Sequence, residues 1–222
     1  MGKIHPTVSN KSGGAGAVMS GHSSSLPSVW TVWKKSSMTF QGTDGFSVYD
    51  GEGRLAFRVD NYSRKHKELL LMDGAGRPLL ALRPQVLSIH DQWNGFRSDD
   101  GLTKVSSKSQ VFSMRRRRSF LLLGGGSGGS NRLEIFTSGG CTTPDFRIEG
   151  SFGRRSCRIL SRSGDVVAQI SRKKAAAGKS VVLGDDVFSL AVRPGADCDM
   201  VMAFVVAMDR ICPKRNAPVM CY

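Results

Sequence analysis

Apolar residues fall in two rhythms along this chain. Through most of it they come in short runs bounded by glycine, often alternating with polar residues, the period-two pattern of half-buried strands. Leu55, Phe57 and Val59 alternate with Ala56, Arg58 and Asp60 in this way. Residues 46–60, 68–83 and 157–170 share one plan: strand, glycine-bearing turn, strand. Their Asp-Gly and Ser-Gly tips are expected to supply the positive φ that hairpin turns require. The recurrence predicts a sheet of hairpins built by partial internal repetition, too unevenly spaced for a solenoid or propeller. An aromatic, β-branched strand is predicted at Val29–Trp33, and further strands at 86–89, 110–113, 119–122, 133–136, 146–149, 180–183 and 188–192.

One stretch breaks that rhythm. Met200 to Met208 are nine uninterrupted apolar residues between Asp199 and Asp209. At about 100° per residue they leave a helix no polar face, so it must be buried or lie in a membrane. A membrane span needs about 20 such residues. The run therefore reads as a core helix, although Val201, Val205 and Val206 leave a buried strand as the alternative. Asp197 is the expected N-cap, Asp199 and Arg210 carry the signs that suit the helix dipole, and Pro213 is the expected stop.

Many short strands with regular turns predict a sandwich or a barrel, and a barrel offers an interior for the apolar helix. Residues 1–28 are rich in glycine and serine and poor in large apolar groups, so a mobile tail is expected there. The folded domain is expected over 29–215, with a low-complexity glycine-serine loop at 124–130 and a short tail at 216–222.

Charge adds a functional constraint. The chain has 222 residues, with 32 lysines and arginines against 18 acidic residues, a net +14. That excess predicts attraction to polyanions: nucleic acid, anionic headgroups or acidic proteins. The five cysteines are odd in number and widely spaced, which argues for a reducing compartment and against a disulfide scaffold or zinc site. The N-terminal stretch lacks an apolar core, so no secretory signal is expected, and Pro6 stands where a myristoylation motif wants Ser or Thr.

A set of ordered stretches points to a family. Thr31-Val32-Trp33-Lys34-Lys35-Ser36 leads to Phe46-Ser47-Val48-Tyr49-Asp50, Phe57-Arg58-Val59-Asp60-Asn61-Tyr62 and Leu71-Met72-Asp73. Ile148-Glu149-Gly150-Ser151-Phe152 and the run from Leu183 to Gly195 follow, before the apolar helix. Together, over about residues 29 to 212, these resemble the plant LURP-one-related family. The resemblance implies a Tubby C-terminal-like fold: a closed antiparallel barrel of about twelve strands around a buried C-terminal α-helix, shared with tubby-like proteins and phospholipid scramblases. It also implies a link to plant defence and, by analogy, a membrane-tethered regulator; a non-enzymatic binding or scaffold module is the expectation. The run Arg115-Arg116-Arg117-Arg118 and the glycine loop after it depart from the family pattern.

That run is the densest charge cluster. Alternate arginines in a strand would point to opposite faces, so a strand end or loop suits it better. Arg172, Lys173, Lys174 and Lys179 form a second cluster, preceded by Arg154, Arg155 and Arg158. Both clusters are candidate sites for anionic phospholipid headgroups or an acidic protein, with nuclear import or nucleic-acid contact as the alternative and scramblase-like lipid handling as another. The bland reading of each is a solvated surface. Ser119, directly after the arginines, is a candidate phosphosite for a basophilic kinase; phosphate there would weaken anion binding.

Other chemistry is thin. Gly178-Lys179-Ser180 imitates the end of a P-loop, but Lys173 stands where its first glycine belongs and a strand is predicted next. Asp99-Asp100-Gly101, Asp185-Asp186 and Asp197 with Asp199 lack calcium-loop spacing. His5, His22, His66 and His90 accompany no nucleophile motif. Trp30, Trp33 and Trp93 read as strand core and rim. No cofactor, metal or transmembrane segment is expected, and the expected state is a cytoplasmic monomer, with peripheral-membrane or nuclear residence as options.

Overall fold

The structure is a computed structural model and describes residues 26–34, 45–63, 68–86, 91–97, 110–117, 132–137, 142–174 and 183–212. Twelve strands precede one helix: β1 (Ser28–Trp33), β2 (Phe46–Tyr49), β3 (Leu55–Ser63), β4 (Glu68–Asp73), β5 (Pro78–Pro84), β6 (Gln92–Arg97), β7 (Gln110–Arg117), β8 (Arg132–Phe136), β9 (Phe146–Ser151), β10 (Ser156–Ser161), β11 (Val166–Arg172), β12 (Val187–Val192) and α1 (Cys198–Ile211). Each strand pairs antiparallel with its sequence neighbours, and β1 pairs with β12 to close the ring. This is the twelve-stranded antiparallel barrel that the family resemblance implies.

The helix runs through its interior. Val201 to Met208 each expose 2 % or less. Val32, Val48, Leu71, Leu82, Met114, Ile135, Ile159 and Leu190 line the wall around it, all fully buried. Phe204 anchors the packing: Phe112 meets it edge-on at 5.0 Å and Phe146 lies tilted at 5.4 Å. Asp197 caps the start, its Oδ1 accepting the Met200 N–H at 3.0 Å. The helix is longer than the apolar run and takes in both flanking aspartates. Asp209 is only 7 % exposed and is held by Lys34 Nζ at 3.0 Å. The helix ends at Ile211, before the expected stop at Pro213, which lies outside the described residues.

The three hairpins form as predicted, and they share one turn. Asp50 N–H donates to Arg54 O, Asp73 to Arg77 O and Ser161 to Asp165 O, closing three-residue loops. Positive φ falls on Gly53 (82°), Gly76 (86°) and Gly164 (93°). In the first two tips the second glycine therefore takes the left-handed position, and not the one after aspartate. The aspartates do something else: Asp50 Oδ1 accepts the Glu52 and Arg54 N–H groups, and Asp73 Oδ1 accepts that of Arg77. Each also holds the guanidinium of its arginine.

Elsewhere the sequence expectations shift. Val86 is a turn residue, 75 % exposed, not the start of a strand. The strand in that region is β6, hidden from pattern reading because Asn94-Gly95 resembles a turn dipeptide. β7 extends to Arg117, four residues beyond the predicted end. Leu183 is not in a strand. Residues 87–89, 119–122 and 180–182, predicted as strand, lie outside the described residues, as do the 124–130 loop, both expected tails apart from Leu26–Ser28, and all four histidines.

Candidate functional site

The strands' alternating directions give the barrel two rims. Arg116, near the end of β7, donates from Nη2 to the carbonyl of Ile211, the last helical residue. The end of β7 and the C-terminus of α1 therefore share one rim, the C rim. Odd-numbered strands end there and even-numbered strands begin there. The opposite N rim holds the three glycine turns and the start of α1.

The rims differ in charge balance. At the N rim four arginines have carboxylate partners close by: Arg54 with Asp50 (2.8 Å) and Glu52 (2.9 Å), Arg77 with Asp73 (2.7 Å), Arg162 with Asp145 (2.8 Å) and Arg193 with Asp165 (3.7 Å), while Arg97, at the end of β6, feels the charge of Asp199 without an ion-pair contact. Asp197 and Asp199 add further negative charge. The C rim carries Lys34, Arg83, Arg117, Arg132, Arg154, Arg172, Lys173 and Lys174. Of these, Arg132, Arg154, Lys173 and Lys174 have no side-chain partner among the described residues.

Two C-rim cations are structural. Arg155 is 2 % exposed and lies between the Phe152 and Phe188 rings, 4.4 and 4.3 Å from their centroids. Its Nε donates to Asp185 O at 2.9 Å. Burial lowers its pKa, while Asp209, Asp185 and Asp186 push the other way. Its φ of 53° is the only positive value on a non-glycine residue among those described, so the chain holds strain to seat it. Sequence reading grouped Arg155 with surface arginines; the flanking Phe152 was the available clue. Arg116 is the second, capping the helix end.

The C rim also holds two shielded thiols. Burial pushes the Cys157 thiol up to about 12 and also raises that of Cys212, the helix C-cap. Both are free. Among the described residues no group of three or more His, Cys, Asp or Glu is placed to hold a metal ion, and no helix is long and apolar enough to cross a membrane.

Comparison with known proteins is decisive for the family. The family described as LURP-one-related matches residues 28–209. The chain belongs to the LURP-one-related family. It is 37 % identical to LURP-one-related 5 of Arabidopsis thaliana over 183 residues, 80 % of each chain. It is 36 % identical to LURP-one-related 8 of the same plant over 186 residues, covering 82 % of this chain and 86 % of that one. A crystal structure of an Arabidopsis thaliana protein superposes with a TM-score of 0.59 at 25 % identity, over 84 % of this chain and 92 % of the other.

Within this LURP-one-related barrel the predicted basic residues are only partly brought together. Arg115, Arg116 and Arg117 end β7, and Arg172 ends β11, with Lys173 and Lys174 following. Both clusters lie at the C rim, but β8, β9 and β10 stand between them. The arginine run ends a strand, as expected, yet remains within the β7–β8 ladder. Arg115 and Arg117 point outward to Glu134 at 3.9 and 3.1 Å, and Arg115 also lies 4.3 Å from the Phe136 centroid. Arg116 turns inward. Arg172 contacts Arg154 O and, at 3.9 Å, Asp185. Arg118, Ser119 and Lys179 lie outside the described residues.

Proposed function

We propose that this LURP-one-related barrel is a non-enzymatic binding module that engages anionic phospholipid headgroups through its C rim, in the defence setting that the family resemblance implies. The observation that carries the reading is the unequal pairing of charge at the two rims: four arginines with carboxylate partners at one, and at the other Arg132, Arg154, Lys173 and Lys174 with no side-chain partner among the described residues. An anionic surface attracts a polybasic face by about 1 kcal/mol per basic residue, within a Debye length of about 8 Å at physiological salt. Nuclear import through the arginine run fits less well. Arg115 and Arg117 are engaged with Glu134 and Arg116 with the helix end, so these three arginines are tied into the β7–β8 ladder and the core.

Sedimentation with phosphatidylcholine vesicles, with and without phosphatidylserine, tests the proposal. Binding is expected only to the anionic vesicles and is expected to weaken as salt rises. Replacing Lys173 and Lys174 together by alanine should lower partitioning roughly 30-fold, from about 1 kcal/mol each. Absence of binding to anionic vesicles at low salt, or equal binding to neutral ones, overturns it.

A further inference from the structure

We infer that the C rim docks face-on to an anionic bilayer with Trp33, Leu183 and Val86 inserted among the lipids. The inference rests on the headgroup reading above and adds the orientation and the anchoring side chains. Three large apolar residues stand exposed at this rim: Trp33 by 41 %, Leu183 by 37 % and Val86 by 75 %. Leu183 adjoins unpaired lysines, and Trp33 precedes Lys34, which is paired with Asp209. Trp33 ends β1, which pairs with β12, and Leu183 lies just before β12. The Leu183 N–H donates to Lys173 O at 2.9 Å, which sets Leu183 beside Lys173 and Lys174. Val86 follows β5, across β6 from the arginines of β7.

The arrangement favours a flat partner. β5 and β11 lie half-way round the ring from each other, so a basic and apolar point occurs on both sides of one rim. A peptide or nucleic-acid strand would engage one side; a planar surface meets both. Tryptophan with lysine and arginine is also the combination that settles at the headgroup level, where an amphipathic ring and snorkelling cations each find their medium. Exposed apolar side chains alone do not select this end, because Val29, Leu55 and Val166 are exposed at the N rim. Charge selects it: both rims carry carboxylates, but Arg132, Arg154, Lys173 and Lys174 have no side-chain partner among the described residues, and all four are at the C rim.

Vesicles of phosphatidylcholine and phosphatidylserine test this with the full chain. Trp33 is kept as the reporter, and brominated-tail phosphatidylcholine is the quencher. Quenching of tryptophan emission is expected, and it should disappear in Trp33→Phe, since Trp30 and Trp93 are more shielded. Val86→Ser and Leu183→Ser should each reduce partitioning several-fold and leave residual binding at high salt lower than wild type. Val166→Ser, at the opposite rim, should bind as wild type does. Circular dichroism verifies the fold of each variant. Anionic-vesicle binding without Trp33 quenching, and unaffected by both serine variants, overturns insertion while leaving the headgroup reading intact. An effect of Leu183→Ser without one of Val86→Ser, or the converse, overturns face-on docking. No binding to anionic vesicles at any salt removes both proposals.

Discussion

Gly95 owes its place to a neighbour, not to a turn. It pairs with Phe112 across the β6–β7 ladder, and a Cβ at Gly95 would lie 2.0 Å from the Phe112 ring. That ring is itself fixed edge-on to Phe204 of the helix. Gly95→Ala should therefore destabilise by about 1–3 kcal/mol, the range for overfilling a packed core. In a urea titration the midpoint should fall, and Phe112→Leu should cost less in the Gly95→Ala background than in wild type, because the two side chains compete for one space. Additive effects would show that the ring does not fill this site. Sequence pattern alone reads Asn94-Gly95 as a turn, since the cross-strand register that gives the glycine its purpose is not local. Cys157 makes the same point in chemistry. Its spacing indicates a free thiol, but burial, with the neighbouring Cys212 as a smaller cause, raises it to about 12. Thiolate is the reactive form, so alkylation of Cys157 in the native protein at neutral pH is expected to proceed no faster than unfolding; rapid native labelling would contradict the burial.

Among the elements, the hairpin turns were the most legible, because the glycine and aspartate positions act within five residues. The arginine run was less so. Its charge was plain, but the division of labour between Arg115, Arg116 and Arg117 depends on Glu134 and on the helix end, both distant in sequence. Arg116→Ala removes a charged donor from the Ile211 carbonyl and should lower stability by about 1.5–3 kcal/mol, read as a loss in thermal melting temperature. Arg117→Ala, exposed at the end of the same strand, should change little. Equal effects would mean that Arg116 does not cap the helix. The turns also predict an acid response. Hydrogen bonds from Arg54 hold Asp50 below its ordinary value of 3.8, and those from Arg77 and Thr137 do the same for Asp73 and Asp145. A carboxyl depressed in the folded state stabilises it fully above the ordinary value and loses that contribution as pH falls through the folded one. Melting temperature should thus fall on acidification below about pH 4. Asp50→Asn keeps an acceptor for the Glu52 and Arg54 N–H groups but cannot take up the proton, so its acid limb should be shallower than that of wild type.

For the whole molecule, the decisive relation is between an all-round apolar helix and a closed wall. The need to bury the run from Met200 to Met208 was readable, because no polar face exists to meet water. The ring order of the strands was not: β1 meets β12 across nearly the whole chain, a contact that no local pattern encodes. For the same reason sequence could place two basic clusters but not the strands between them. Enclosure has a direct test at Val205, which is fully buried midway along the helix. Val205→Ala removes two methyl groups and should cost about 2–3 kcal/mol, from lost transfer energy and a small cavity. A domain with the usual 5–15 kcal/mol survives that. Val205→Asp adds no bulk but introduces a charge with no route to water on any side of the helix, so it must ionise unpaired or remain protonated at a large cost. The alanine variant should melt cooperatively at a lower temperature. The aspartate variant should show no cooperative transition at neutral pH and should recover structure, if at all, only as acid neutralises the carboxyl. A cooperative melt for Val205→Asp near that of Val205→Ala would place this face of the helix against solvent, and the barrel could not then be closed around it.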